Sequence, residues 1–257
     1  MTTTFTRIHP PPAREVAGIH ADVLFPGSHP GDPSLPFVAM NMVSSLDGKV
    51  SAGGKSGSIG SPVDREAMRT LRSKADAVMV GAGTLRAERV SLTSEGLRTP
   101  EPFAILASRT LDLPIRNLLH AEKERTIILT SEDSPRRRRD ILEGYGIIVA
   151  CGEGSCGATG LRDGLERLKE EYGIGSILLE GGSVLNHSLV SGSLVSEIFL
   201  TVSPKLIGGE SIGILSGEEL SSFPEAELLS IHMEKASSGS QTAPEVFLRY
   251  LLPAGFR

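Results

Sequence analysis

Five places in the sequence bring together residue types that can do chemistry. "NMVSSLDGKVSAGGKSGSIGS", Asn41 to Ser61, closes an apolar run and surrounds one carboxylate, Asp47, with Gly, Ser and Lys. Residues that small let a bulky ligand lie against main chain with Asp47 as its polar anchor; a surface loop with a turn-forming Asp-Gly is the alternative. "VGAGT" ends a second run with Gly81, Gly83 and Thr84. Amides and a hydroxyl there can hold a phosphate at a helix start, or the turn merely needs positive φ. "LLEGGSVLN" ends a third run with Glu180, Gly181 and Gly182 and opens a helix at once through Ser183 and Val184. Bare main chain can then press on a ligand with the helix dipole facing an anion, unless the pair only makes a tight strand-to-helix turn. "ASRTLDLP" sets Ser108 beside Arg109, a hydroxyl and a guanidinium suited to a phosphate monoester such as the 2′-phosphate that separates NADP from NAD.

The fifth place is "GEGSCG", Gly152 to Gly157, a literal G-x-G-x-x-G after an apolar run, with Glu180 closing the next one. Two features count against a dinucleotide fingerprint. "ATG" separates it from the helical "LRDGLERL", whereas the pyrophosphate needs the helix to begin on the motif itself, and the unit starts past the midpoint of the chain.

The elements that must hold these residues follow from periodicity. "FVAMNMV", "DAVMVGAGT", "FAILAS", "TIILTS", "GIIVACG" and "SILLEGG" are short apolar runs closed mostly by Gly, Ser or Thr, and read as buried strands. Helix-period segments alternate with them. "SPVDREAMRTLRSKA" has Ser61 as N-cap, Pro62 at the first helical position and Val63, Ala67, Met68 and Leu71 on one side. "SPRRRRDILEGYG", "LRDGLERLKEEYG" and "SVLNHSLVSG" complete the set, and the alternation predicts a mostly parallel sheet with helices on both faces. After Gly192, "LVSEIFLTVSP" and "PEVFLRYLLP" predict antiparallel edge strands. The Pro-rich residues 1–36 read as an extended or irregular arm, and 37–257 as one domain.

Composition narrows the partners. The 257 residues carry a formal net charge of −5, which supplies no general basic field for nucleic acid or an anionic membrane. Arg136 to Arg139 point in different directions on a helix and are flanked by Glu132, Asp133, Asp140 and Glu143, so they read as a solvated surface. Two cysteines, Cys151 and Cys156, and histidines without clustered spacing imply no metal, and the cysteines read as incidental rather than a redox pair. No basic start with an apolar h-region and no run near ~20 apolar residues is present, so a cytoplasmic protein is expected.

Taken together, "NMVSSLDGKVSAGGKSGSIGSPVDREAMRTLRSKADAVMVGAGTLRAE", "ASRTLDLP" and "ILLEGGSVLNHSLVSGSLVSEIFLTVSPKLIGG" resemble, in order and spacing, the riboflavin-biosynthesis reductases of the RibD C-terminal family. The likeness runs from about Phe37 to the C-terminus. It implies a dihydrofolate-reductase-like α/β fold, NADPH, a homodimer, and reduction of a phosphorylated ribosylaminopyrimidine to its ribitylamino form. By similarity Gly81, Gly83, Thr84, Gly181, Gly182, Ser183 and Val184 line the cofactor, with Ser108 and Arg109 near its 2′-phosphate. Asn41, Ser45, Asp47 and Glu180 face the substrate, with Asp47 and Glu180 as the catalytic candidates.

One position divides the family: Asn41 stands where deaminase-reductase fusions carry Lys, as it does in stand-alone reductases acting before deamination. An amide both donates and accepts where lysine only donates, and the deaminase H-x-E…C-x-x-C signature is absent, so the resemblance favours the 2,5-diamino substrate. One stretch departs. Where relatives read D-x-P-x-L-T-V-R the chain has "ERVSLTSEG", placing Arg89 and Val90 at the Asp-Pro pair and Glu95 at the phosphate-holding Arg. Arg89, Arg72, Arg65 or Ser61 are the replacements. The implied reaction opens the ribose to a C=N bond at C1′, adds hydride there and protonates nitrogen, which needs neither covalent nucleophile nor metal. Rival readings are a deaminated pyrimidine or a pterin such as dihydrofolate as substrate, a cofactor-binding homologue without turnover, and a Rossmann dehydrogenase centred on "GEGSCG".

Overall fold

The apolar runs read as buried strands all form strands, and their common direction organises the molecule. The computed structural model describes residues 5–16, 18–152, 158–234 and 243–255. In chain order these form β1 (Phe5–His9), β2 (Arg14–Val16), β3 (Phe37–Ser45), α1 (Pro62–Arg72), β4 (Ala77–Gly81), α2 (Ala82–Ala87), β5 (Val90–Ser91), β6 (Phe103–Ala107), β7 (Leu118–Leu119), β8 (Thr126–Ser131) and α3 (Arg136–Leu142). Then follow β9 (Ile147–Cys151), α4 (Ala158–Tyr172), β10 (Ser176–Leu179), α5 (Ser183–Ser191), β11 (Glu197–Ser203), β12 (Glu227–Glu234) and β13 (Val246–Leu251).

Eleven of the strands make one sheet in the order β2-β1-β12-β13-β11-β3-β10-β4-β6-β8-β9. From β11 to β9 every pairing is parallel. On the other side of β11, β13, β12, β1 and β2 pair antiparallel. This is the mixed, mostly parallel sheet with antiparallel strands that was expected. Residues on β3 alternate between two cores: Val38 and Met40 pack with Leu161, Leu165 and Leu168 of α4, Phe37 and Ala39 with Leu71 of α1 and Leu85 of α2. Burial on both faces explains why these strands read as continuous apolar runs rather than as alternation.

Three elements differ from expectation. The lead-in read as an arm instead supplies β1 and β2, and its Phe5, Ile19, Val23 and Leu35 are buried in the core clusters. Prolines chop that segment into pieces too short to show a period. The strand β12, unread in a stretch rich in Glu and Ser, lies between β1 and β13, so the C-terminal strands are flanked by the N-terminal ones. Finally, α4 opens at Ala158, so "ATG" is helical and the gap held against the G-x-G-x-x-G motif does not exist. Residues 153–157 of that motif, with Cys156, lie outside the described residues. Cys151 is buried and its Sγ donates to the Thr130 carbonyl.

α1 forms as its sequence dictates. Ser61 Oγ accepts from the amides of Val63 at 3.0 Å and Asp64 at 3.2 Å, Pro62 takes the first helical position, and Ala67 and Leu71 are buried. Such a cap is worth about 1 kcal/mol. Pro135 takes the capping position of α3, and Arg136, Arg137 and Arg138 are exposed, as a solvated face requires.

Candidate active site

Because the central strands are parallel, their carboxyl ends meet at one edge of the sheet, where ligands of open α/β sheets bind. Gly81, Ser108 and Glu180 stand there at the ends of β4, β6 and β10, with Asn41 to Val43 on β3 beside them. The edge holds two cavities. The larger, of about 880 Å³, is lined by Gly81, Gly83, Thr84, Ser108, Arg109, Gly181, Gly182, Ser183 and Val184, with Leu129, Cys151 and Leu161 extending it toward β9. All nine residues assigned to the cofactor therefore line one cleft. The smaller, of about 370 Å³, is lined by Asn41, Asp64, Arg65, Arg72, Arg89 and Glu95 among others. Met42, Val50, Ser56, Thr84, Glu88 and Glu180 line both, so the two are continuous.

Five glycines expose main chain in the long cleft. Gly181 sits at φ +95°, a conformation L side chains rarely adopt, and is joined to Gly182 by a cis peptide. Its carbonyl accepts from the Gly81 amide at 2.8 Å, which ties the glycine pair to the end of β4. Gly182 then caps α5, directing that helix's amino end into the cleft. Just after β6, Ser108 is buried and its Oγ accepts from the Leu111 amide at 3.0 Å, while Arg109 is exposed and makes no hydrogen bond with another described residue.

The small cavity brings charged side chains together among apolar ones such as Val43, Met68 and Leu92. Arg72 Nε and Nη2 donate to the two carboxylate oxygens of Glu180, each at 2.7 Å, and Nη1 donates to the Thr93 carbonyl at 3.0 Å. Both side chains are under 10% exposed, 6% and 9%. The Glu180 charge holds the Arg72 proton still more firmly than usual against the opposing effect of burial. Arg72, one of the candidate replacements for the missing phosphate arginine, is thus already engaged by Glu180 and the Thr93 carbonyl. Ser61 is likewise taken: its Oγ donates to Glu245 Oε2 at 2.6 Å and its amide to Oε1 at 3.0 Å. The side chains of Arg65 and Arg89 are exposed at the rim and make no hydrogen bond with a described residue, which leaves their guanidinium groups open to an anion.

Asp47 and Ser45 line neither cavity. The Asp47 carboxylate accepts from Ser45 Oγ at 2.6 Å, Gly208 N at 2.7 Å and Ile207 N at 3.1 Å, and those donors hold its pKa down at about 2. Ser45 Oγ also accepts from Lys49 N at 3.0 Å. The carboxylate that looked like a substrate anchor pins the turn after β3 to the 205–208 loop. Asp64, by contrast, was passed over in the sequence and lines the small cavity. Burial pushes its carboxyl up to about 6, against a hydrogen bond from Thr201, while Glu245 and Glu180 reinforce the rise and Arg65 opposes it.

A larger cleft with five glycines in its lining joins a smaller pocket across the carboxyl ends of a parallel sheet, the edge at which open α/β proteins bind ligands. Residues 36–241 match the model of the RibD C-terminal domain, and the chain belongs to that family. It is 34% identical over 194 residues to the 2,5-diamino-6-ribosylamino-4(3H)-pyrimidinone 5′-phosphate reductase of Aquifex aeolicus, covering 72% of this chain and 84% of the relative. The reductase of the same name from Methanothermobacter thermautotrophicus is 29% identical over 195 residues, covering 74% and 88%. Among solved structures, Acinetobacter baumannii RibD superposes with a TM-score of 0.68 at 20% identity, over 86% of this chain and 58% of that one. The Saccharomyces cerevisiae riboflavin biosynthesis reductase gives 0.63 at 19%, over 86% and 92%. The fold is shared with both. The chain is an oxidoreductase of the reductase family of riboflavin biosynthesis.

Proposed function

We propose that the protein reduces 2,5-diamino-6-ribosylamino-4(3H)-pyrimidinone 5′-phosphate to its ribitylamino product with NADPH. The observation that carries this reading is the continuity of the glycine-lined cleft with the charged cavity at Thr84 and Glu180. The residues present fit a dinucleotide phosphate: unencumbered main chain at Gly81, Gly83, Gly181 and Gly182, the amino end of α5 at Ser183 and Val184, and Arg109 with Ser108 for a 2′-phosphate. When bound, the nicotinamide supplies hydride to C1′ of the opened ribose. Arg65 and Arg89 hold the substrate phosphate in this reading, and Asn41, with donor and acceptor both available, meets the pyrimidine edge. Arg72 fixes Glu180 at the junction, so that the carboxylate orients the sugar without moving. The curated relatives' names support the diamino substrate. A homodimer in the cytoplasm completes the proposal.

The test is a panel of the diamino pyrimidine, its deaminated counterpart and dihydrofolate, each followed by loss of NADPH absorbance. Consumption with the diamino compound at kcat/KM at least about tenfold above the others supports the reading. Equal or higher efficiency with either alternative, or binding of NADPH without consumption, overturns it.

A further inference from the structure

The reduction consumes one proton as well as one hydride, and the acids around the small cavity are not equivalent as its source. Glu180 binds Arg72 through both oxygens. Glu95 is paired with Arg69 at 2.8 Å, and Glu88 Oε1 accepts from Ser56 Oγ at 2.7 Å. Asp47 lies outside the cavity with its oxygens held by three donors.

Asp64 is placed differently, and its neighbours show why. It is the fourth residue of Ser61-x-x-Asp64, the pattern in which an acid at the third helical position reaches back to the amide of the capping residue. Here Glu245, just before β13, occupies both the Ser61 amide and its hydroxyl, so the Asp64 side chain is released from that role. It folds over Gly60 instead. A Cβ built on Gly60 would lie 2.2 Å from Asp64 Oδ2, so only glycine leaves room for the carboxyl in this position. From there it lines the cavity with Asn41, Arg65 and Glu180.

Resting on the proposed reaction, we infer that Asp64 is the general acid, donating its carboxyl proton to the nitrogen of the C1′=N bond as hydride reaches C1′. The C=N π bond breaks, C–H and N–H bonds form, the hydride donor is oxidised, and the Asp64 carboxylate left behind is reprotonated from solvent. Burial, with Glu180 facing it from the end of β10 and Glu245 from before β13, favours the protonated form, while Arg65 on its own helix and the hydroxyl of Thr201 on β11 favour the ion. The balance near 6 keeps a proton available close to neutral pH.

The experiment compares wild type, Asp64→Asn and Gly60→Ala for turnover of the diamino substrate across pH, with NADPH affinity by fluorescence titration as a second readout. In wild type, kcat/KM falls tenfold per pH unit above about 6 as the acid form is lost. Asp64→Asn lowers kcat about 10²- to 10⁴-fold, lacks that falling limb, and binds NADPH as wild type does. Gly60→Ala, which displaces the carboxyl without removing it, gives an intermediate loss, and adds nothing when combined with Asp64→Asn. Absence of turnover by wild type defeats the proposed reaction itself. A wild-type rate without the alkaline limb, or an Asp64→Asn variant within threefold of wild type, overturns the role of Asp64 alone.

Discussion

The two halves of the site are built by opposite means. The long cleft carries five glycines and several small side chains near strand ends, and Arg109 lies exposed at its surface with no hydrogen bond to another described residue. The small cavity gathers seven charged side chains, of which Arg72 and Glu180 neutralise each other and Glu95 is paired with Arg69 before any ligand arrives. Main chain gives general contact with a dinucleotide and needs no partners beyond glycine. Charged side chains give selectivity, and each must be held by another part of the fold. The cleft should therefore keep its stability when a single polar contact is lost, whereas the cavity should fail when one member of a pair is removed.

The sharpest break in that contrast is the buried pair. Removing Arg72 leaves the Glu180 charge without its partner, so Arg72→Ala should cost about 3–5 kcal/mol of stability in denaturant titration. A loss under about 1 kcal/mol would show that the pair is not the cavity's keystone. The next effect is opposite in sign. The Asp64 pKa is raised on folding, so the native state favours its protonated form and its stabilising effect fades as pH rises from about 4 through about 6. Asp64→Asn removes the buried charge and should raise stability by about 1–3 kcal/mol at pH 8, with the gain shrinking toward pH 4. A variant destabilised at pH 8 would contradict the burial of that charge.

Smaller changes sharpen the division of labour between the two cations. Arg109→Ala should weaken NADPH binding about 10-fold or more and leave NADH untouched, whereas Arg65→Ala should raise KM for the phosphorylated substrate and not for its dephosphorylated form. Equal losses for NADPH and NADH would remove Arg109 from the 2′-phosphate. The smallest effect falls on Asp47, which lies outside both cavities. Asp47→Asn should leave turnover within about twofold of wild type and lower the melting temperature slightly at neutral pH. Its carboxylate is depressed to about 2, so its contribution is complete above about 4 and is lost as pH falls toward 2. A large fall in kcat would restore Asp47 to the chemistry.

What could be read from sequence follows the same division. Gly81, Gly83, Thr84, Gly181 and Gly182 are legible because each lies next to the apolar run that places it, so local pattern and tertiary position coincide. The cavity is not local. Arg72 meets Glu180 across 108 residues and Ser61 meets Glu245 across 184, and no periodicity records either meeting. Asp47 misled because an acid among glycines looks equally like a ligand anchor and like a turn pin. Asp64 was hidden because Ser-x-x-Asp reads as a helix cap, and only the distant Glu245 converts it into something else. The first thirty-six residues escaped because a strand such as β1 is completed by β12, more than two hundred residues away, rather than by its own pattern.

The most direct measurement is a crystal structure of the protein with NADP⁺. The account predicts the pyrophosphate on Gly81, Gly83, Gly181 and Gly182, which follow or end β4 and β10, the 2′-phosphate at Arg109 and the nicotinamide at the junction beside Glu180. A dinucleotide seated instead on Gly152 and the start of α4, with the glycine pair at 181 and 182 bare, would contradict it.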